Sequence, residues 1–251
     1  MLGACGGGRV DRTTDTPDRE DDPFDGELVV DLVDTLVQAR AYDNALPMLN
    51  QALVKNPQDA RLHYLMGVIL RDRGVYSEAE KSLAQALQLR PGLAPAHGAM
   101  GVLLDLQGKH DKALPFHRKA TTLEPEVARH QNNLGFSRYL AGALEEAEAA
   151  YREGLRLDPT AHRLYLNLGF TLAAQGKEDE ALRMFRQALP EKAAQSNLAL
   201  ARELRGDREA ARRMYQAALN EPPDLPEGAA ALAPPPTGAD EAPKNAESEK
   251  K

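Results

Sequence analysis

An alanine recurs along this chain at a nearly constant interval, and this interval limits the fold more than any other feature. Successive members lie 34, 34, 34, 34 and 30 residues apart: Ala45, Ala79, Ala113, Ala147, Ala181 and Ala211. A fixed period in the thirties is typical of an array in which one supersecondary unit is repeated and stacked. The sequence therefore predicts six units of one kind.

Other residue types recur in register with these alanines. A small or slim residue stands twelve positions before each alanine: Val33, Gly67, Gly101, Gly135, Gly169 and Ala199. A bulky residue stands four positions after it: Leu49, Leu83, His117, Tyr151, Phe185 and Tyr215. Five units also carry a glycine at mid-unit, and five carry a proline near the end. Small residues let two helices approach, glycine permits a left-handed turn and proline ends a helix, so each unit is predicted to be an antiparallel helix pair.

The sequence Asn-Leu-Gly at 133–135 and 167–169 precedes the alanine, Tyr/Phe and proline columns in the same register. This combination resembles the tetratricopeptide repeat (TPR) over about residues 26–221. The resemblance implies an all-α fold, a right-handed superhelical solenoid of six TPR helix pairs with a concave groove. The units are predicted at 26–59, 60–93, 94–127, 128–161, 162–191 and 192–221.

Two units depart from this pattern. The first has Val33 in the glycine column and no glycine at its turn. The fifth is four residues shorter than the others and ends near Pro190. Because four residues are close to one helical turn, we expect this deletion to shorten a helix without rotating the face of the next one.

The two ends differ from the repeats in composition and charge. The chain carries a net charge of −7. Residues 1–27 contain 8 acidic and 3 basic residues and residues 221–251 contain 7 and 3, so the segment between them carries +2. Both ends are poor in large apolar residues and are predicted to be disordered, as an acidic linker at 6–25 and a Pro/Ala/Glu-rich tail at 222–251. The repeats lack the basic surface of a nucleic-acid-binding protein, so no nucleic-acid partner is expected.

The only cysteine, Cys5, ends the sequence Leu-Gly-Ala-Cys and is followed by three glycines. Residues 1–5 resemble the lipobox of bacterial lipoproteins, in which the cysteine is acylated. With glycine next to the cysteine, the resemblance implies a lipid anchor in the outer membrane, on the periplasmic face. A complete signal would need a basic segment and an apolar run before the box. A start codon placed too late, a trimmed signal and a chance match are the three interpretations.

No arrangement of residues in the sequence is typical of an enzyme. The Gly-Lys pair at 108–109 recurs at 176–177, so it belongs to the turns of the repeats and not to a phosphate-binding loop. His63 and His97 share one column and are predicted to pack within the array instead of binding a metal. We expect no catalytic residues, no metal, no cofactor and no small-molecule substrate.

One face of the first helices is not needed for pairing, and in the TPR family this face lines the groove. The predicted partner-binding residues there are Tyr64, Val68, Val102, Leu106, Asn132, Phe136, Tyr139, Leu140, Leu166, Phe170, Leu200 and Leu204, with Val30 and Ala173 in the same columns. An exposed apolar stripe of this size is typical of an interaction site, so the expected ligand is an apolar peptide or helix of a protein partner. Alternatively, the curvature of the superhelix or the C-terminal tail covers part of the stripe. The lysine and asparagine pairs of the family's chaperone-tail clamp are absent.

Six TPR units behind a lipobox resemble the pilotins, the Tgl-like lipoproteins of type IV and Tad-type pilus assembly. This resemblance implies a non-enzymatic scaffold that helps an outer-membrane secretin to insert and multimerise, and that meets the membrane only through its lipid. Two other functions fit the same repeats: a soluble cytoplasmic adaptor, and a periplasmic scaffold for a cell-wall or export complex.

Overall fold

A computed structural model describes residues 26–219 of the chain. The predicted lipobox with Cys5, the acidic linker and the C-terminal tail lie outside these residues. The described residues form twelve α-helices and contain no strand. In chain order the helices are α1 (Gly26–Gln38), α2 (Tyr42–Lys55), α3 (Ala60–Asp72), α4 (Tyr76–Leu89), α5 (Ala94–Leu106), α6 (His110–Leu123), α7 (Ala128–Leu140), α8 (Leu144–Leu157), α9 (His162–Ala174), α10 (Glu178–Ala188), α11 (Glu191–Leu204) and α12 (Arg208–Leu219).

Consecutive helices pack as six pairs, and each pair matches one of the units defined by the alanine spacing, except that α11 begins at Glu191, one residue before the predicted start of the sixth unit. A three-residue turn joins the two helices of every pair. In units 2 to 6 a glycine with positive φ stands in this turn: Gly74, Gly108, Gly142, Gly176 and Gly206. The predicted all-α TPR solenoid is confirmed.

The small and bulky columns meet inside the pairs. A β-carbon added at the glycine would come within 2.7 Å of the bulky side chain in four of them: Gly67–Leu83, Gly101–His117, Gly135–Tyr151 and Gly169–Phe185. All four bulky side chains are fully buried. The two helices of a pair can therefore approach this closely only because one of them carries no side chain at the crossing.

The turn of the first unit reaches the same backbone shape without a glycine. Arg40 has a φ of +56°, whereas the glycines of the other five turns have φ between +71° and +97°. Left-handed backbone costs a residue with a β-carbon about 1–2 kcal/mol, although glycine loses more entropy on folding. We therefore expect Arg40→Gly to raise the free energy of unfolding by about 0.5–1 kcal/mol, measured by urea denaturation of the full chain.

The reverse change provides the control for Arg40. A β-carbon at Gly74 would have no neighbour within 4 Å, so Gly74→Arg tests the backbone conformation alone. It should lower stability by about 1–2 kcal/mol. A stability that falls in Arg40→Gly would contradict the view that this turn is strained.

The four-residue deletion in the fifth unit removes three residues from a helix and two from the linker that follows it, while the next first helix, α11, is one residue longer than the other first helices. Helix α10 has 11 residues, whereas α2, α4, α6 and α8 each have 14. The linker to the next unit has two residues, Leu189 and Pro190, where the earlier linkers have four. The expected shortening of a helix is confirmed, and the next helix still buries Ala194 and Leu198 in the apolar core.

The first helices of the units form the inner layer of the array. Each contacts the first helix of the next unit, from α1–α3 through α9–α11. A second helix contacts only its own partner and the first helix of the following unit. The inner surface of the described array is therefore built from α1, α3, α5, α7, α9 and α11. None of the described helices is long and apolar enough to cross a bilayer.

The buried apolar side chains form two clusters, one in units 1 to 3 and one in units 4 to 6. A polar seam lies where units 3 and 4 meet, and it consists of the buried Asp105, His117 and Ser137 with the half-buried His110. The carboxylate of Asp105 lies 2.9 Å from His110 Nδ1, His117 Nε2 and Ser137 Oγ. Hydrogen bonds to one carboxylate thus join α5, α6 and α7.

Candidate partner-binding surface

The twelve residues of the predicted groove all lie on first helices, and therefore on the inner layer. They belong to α3, α5, α7, α9 and α11, so the repeat columns place them in one continuous layer. Their exposure, however, differs strongly from one residue to the next.

Five of the twelve are buried: Val68, Val102, Asn132, Phe136 and Phe170. The expectation that the residues form a continuous exposed stripe is therefore wrong at these positions. Neighbouring first helices pack against one another and cover the side chains between them. Phe170 is only 2% exposed, and its ring meets the Phe185 ring edge to face at a centroid distance of 5.0 Å. Contacts between helices thus cover part of the face, and at Phe170 the covering side chain comes from the second helix of the same unit.

Asn132 joins two units instead of presenting its amide at the surface. Its Oδ1 accepts a hydrogen bond of 2.8 Å from Nδ2 of Asn167, on the next first helix, and both side chains are buried. A buried amide that lost this partner would carry a desolvation cost, so the pair helps to fix the position of unit 5 on unit 4.

The accessible members of the predicted set are concentrated in the second half of the array. Tyr64, Leu106, Tyr139, Leu166 and Leu200 are half-buried, while Leu140 and Leu204 are 39% and 56% exposed. Leu140 and Leu204 are the last residues of α7 and α11. Burial raises the pKa of Tyr139 above its usual value, so its hydroxyl is a neutral hydrogen-bond donor at pH 7.

A cavity of about 220 Å³ opens between α1, α3, α5 and α7. Three of the predicted residues, Tyr64, Val68 and Val102, line it. Its polar lining was not anticipated from the sequence and consists of Asp34, Gln38, Arg61, Arg71, Arg129, His130 and Asn133. We call this space the Arg71 cavity, because Arg71 is its most deeply buried charged residue, with 3% of its surface exposed.

The sequence did carry a signal for Arg71. The predicted groove columns fall three before, one after, and four to five after the glycine column, and the predicted set contains apolar residues and Asn132 but no charged residue. Arg71 and Asp105 stand four positions after Gly67 and Gly101, in the column that holds Tyr139 in unit 4. A charged residue in such a column is the signal that identifies a polar site on the inner surface.

His63 and His97 have equivalent structural roles. Their Nε2 atoms each lie 2.8 Å from a backbone oxygen of the preceding linker, that of Pro57 and Pro91 respectively. Tyr165, in the same column of unit 5, donates to the oxygen of Pro159 at 3.1 Å. The column thus ties the first helix to its linker. Within residues 26–219, no three His, Cys, Asp or Glu side chains are placed together to hold a metal ion.

Comparison with known proteins agrees with this architecture. Three tetratricopeptide-repeat family models match the chain, at residues 30–94, 137–176 and 163–190. No curated protein matches the sequence.

Solved structures with the same fold share little sequence with this chain. The structure of pilF from Pseudomonas aeruginosa matches with a TM-score of 0.63 at 21% identity, covering 80% of this chain and 93% of that one. Residues 41 to the end of MamA from Desulfovibrio magneticus match with a TM-score of 0.56 at 23% identity, covering 68% and 96%. These likenesses concern the fold alone. The repeat columns, the six helix pairs and the three matches identify the repeats of this chain as tetratricopeptide repeats, a kind of repeat found in scaffolds that bind other proteins.

Proposed function

We propose that this protein is a lipid-anchored scaffold that helps an outer-membrane pilus secretin to multimerise. The observation that carries the proposal is a lipobox-like Leu-Gly-Ala-Cys sequence ahead of a six-unit TPR array. The shared fold with P. aeruginosa pilF over most of both chains supports the same assignment. In this proposal Cys5 carries the lipid, and residues 6–25 connect it to the repeats on the periplasmic face of the outer membrane.

The proposed partner-binding surface is the accessible part of the inner layer in units 4 to 6. Tyr139, Leu140, Leu200 and Leu204 supply apolar area there, and the partner segment that fits them is an apolar peptide or helix. The buried residues of the predicted set hold the array together and act on the partner only through the shape of the surface. Substitutions of Phe136 and Phe170 are therefore expected to change the stability of the array, and they do not by themselves test partner binding.

The proposal predicts that one variant removes the membrane anchor and another removes partner binding. Both are expressed in the organism from which the gene comes. Cys5→Ser should remove incorporation of a fatty-acid analogue and release the folded repeats from the membrane fraction. Leu140→Ser/Leu204→Ser should keep the lipid but reduce secretin multimers at least tenfold, as loss of interface anchors typically costs 1–2 kcal/mol or more. Secretin multimers are measured by gel electrophoresis without heating.

Val54→Ser is the matched control, because Val54 is 83% exposed on α2, in the outer layer. It should leave both lipid labelling and multimers unchanged. If the wild-type protein does not incorporate the label, the proposed lipid anchor is wrong. If the double leucine variant forms normal secretin multimers, the proposed apolar binding surface is wrong.

A further inference from the structure

We infer that copies of this chain associate end to end, so that α12 of one copy packs on α1 of the next as a second helix packs on the following first helix inside the array. The interface consists of the two ends of the described solenoid and goes beyond the partner contact proposed above. It depends on neither the lipid nor the secretin.

Helix α1 exposes a face that the later first helices bury. Leu28 is 67% exposed, whereas the other members of its column are all buried: Leu62, Ala96, His130, Leu164 and Ala194. Leu32 is 48% exposed, whereas most members of its column are buried: Met100, Leu134, Leu168 and Leu198. Thr35 is exposed as well, and its column is buried in every later unit: Ile69, Leu103, Ser137, Thr171 and Ala201. The first unit therefore lacks the cover that these columns receive inside the array.

The preceding unit supplies that cover inside the array. Where units 4 and 5 meet, a β-carbon added at Gly154 on α8 would lie 2.8 Å from Leu164, which stands in the column of Leu28. Where units 3 and 4 meet, a β-carbon added at Gly98 on α5 would lie 3.6 Å from His130, in the same column. Both helices of a unit thus lie against this column of the following unit.

Helix α12 has the complementary vacancy. Within residues 26–219, each of the other second helices contacts its partner and the following first helix, whereas α12 contacts α11 alone. The column of Gly154 holds Ala218 in this helix, so a small residue stands at the position against which Leu28 of a second copy would pack. The C-terminal end of one array thus offers the kind of surface that the N-terminal end of another array lacks.

Two polar columns form hydrogen bonds between successive units inside the array. Nδ2 of Asn167 in unit 5 donates to Oδ1 of Asn132 in unit 4 at 2.8 Å. Oγ of Ser137 in unit 4 donates to Oδ1 of Asp105 in unit 3 at 2.9 Å. These two columns determine which polar side chains meet when one unit follows another.

A second copy places complementary groups in both columns. Asp31 comes to lie beside Ser196 and Thr35 beside Glu203, so each pair consists of a hydroxyl and a carboxylate. In the single copy these hydroxyls donate to backbone oxygens of their own helices, at 3.0 Å for Ser196 and 2.9 Å for Thr35. A hydrogen bond to a carboxylate is stronger. Arg61 pairs with Asp31 at 2.6 Å, so this carboxylate enters the interface with a countercharge beside it.

Charge selects the surface of the second copy. Helix α1 contains Glu27, Asp31 and Asp34 and no lysine or arginine. Helix α12 contains three arginines and one glutamate. Two α1 helices would repel each other, whereas α1 and α12 attract, so charge disfavours a two-fold dimer through α1. A head-to-tail contact leaves a free end on each side, and the assembly therefore continues beyond two chains.

The test measures the mass of the full chain, purified without a lipid, by sedimentation equilibrium. Concentrations run from about 1 µM to about 1 mM, which spans weak to moderate affinities. A reducing agent prevents Cys5 from linking two chains through a disulfide. We expect the mean mass to rise with concentration and to exceed that of two chains.

Leu28→Ser/Leu32→Ser removes the apolar contact from the N-terminal end. Both side chains are exposed in the single copy, so the variant should fold normally. Its association should weaken at least tenfold, because two leucines no longer become buried in the interface. Val54→Ser is the matched control, since its column is exposed in units 1 to 4 and faces no junction: Val54, Gln88, Thr122 and Arg156. The control should associate as the wild type does.

Arg208→Glu/Arg212→Glu reverses the charge of the C-terminal end. These arginines are exposed and stand in the columns of Glu178 and Glu148. The carboxylates of Glu178 and Glu148 contact side chains of the following unit at 2.7 Å and 2.9 Å, so both columns face a junction. Association should weaken at least tenfold, because α12 would then repel α1.

Lys81→Glu/Lys119→Glu is the control for the charge reversal. It changes the net charge by the same amount, on exposed residues of α4 and α6 that lie away from both ends. It should associate as the wild type does. Circular dichroism should be the same for all four variants.

A mixture of the two end variants distinguishes a head-to-tail contact from other contacts. The Leu28→Ser/Leu32→Ser chain keeps an intact C-terminal end, and the Arg208→Glu/Arg212→Glu chain keeps an intact N-terminal end. Together they should form pairs with the affinity of the wild-type contact. The mass should stop at two chains, because both remaining ends are altered.

Three results would overturn the inference: the wild type keeps the mass of one chain at every concentration, its assembly stops at two chains, or the mixture of end variants does not form pairs. None of them bears on lipid labelling or on secretin multimers, so failure here is distinguishable from failure of the proposed function.

Discussion

Replacing Gly135 with valine is expected to lower the free energy of unfolding by about 3 kcal/mol, which is at the upper end of the usual cost of overpacking a core. The β-carbon alone would lie 2.7 Å from the ring of Tyr151, a side chain that is fully buried and cannot move aside. The two helices of unit 4 would have to separate. Urea denaturation of the full chain measures the change.

The first unit suggests how this loss can be reversed. There Val33 occupies the glycine column and the smaller Leu49 occupies the bulky column, and both are fully buried. Adding Tyr151→Leu to Gly135→Val should therefore recover at least half of the lost stability. Gly92→Ala is the control, since a β-carbon there has no neighbour within 4 Å. If Gly135→Val costs no more than this control, helices do not meet at the glycine.

The second large effect is expected at the polar seam. Asp105→Ala should cost about 3–5 kcal/mol, because two buried hydrogen bonds to the carboxylate are lost, each of about 1.5–3 kcal/mol. His117 and Ser137 are fully buried, and both would lose their hydrogen bonds to the carboxylate. Urea denaturation provides the measurement.

Asp111→Ala serves as the comparison for this variant. Asp111 is exposed in the first turn of α6, where a carboxylate contributes at most about 1 kcal/mol through the helix dipole. If the two variants lose similar amounts of unfolding free energy, the buried hydrogen bonds of Asp105 stabilise the protein no more than an exposed carboxylate does.

The repeat columns predicted the helix pairs because each column meets a local requirement. It provides space where two helices cross, it permits a left-handed turn, or it ends a helix. They could not predict exposure, which depends on how neighbouring units stack. Phe136 and Leu140 lie one helical turn apart on α7, yet the first is 4% exposed and the second 39%. Leu140 is the last residue of its helix, whereas Phe136 lies within the helix.

The polar site on the inner surface escaped prediction for a different reason. Arg71 and Asp105 occupy equivalent positions in successive units, so the columns alone assign them one environment. The structure gives them opposite ones. Asp105 has hydrogen bonds from three side chains, whereas Arg71 has its Nη2 unpaired beside a cavity. Which of two buried charges is fully paired depends on side chains from other units, such as Ser137, and no single column contains that information.

The division of the apolar core at the polar seam has a consequence for the order in which the array assembles. Units of a repeat protein contact only their neighbours, so a block of units can fold before the rest exists. The apolar cluster of units 1 to 3 needs no residue beyond Phe116, whereas the carboxylate of Asp105 obtains its last partner only when Ser137 arrives. During synthesis the apolar cluster of units 1 to 3 can therefore form before unit 4 exists, and Asp105 and His117 then mark the site at which Ser137 completes the seam when unit 4 docks.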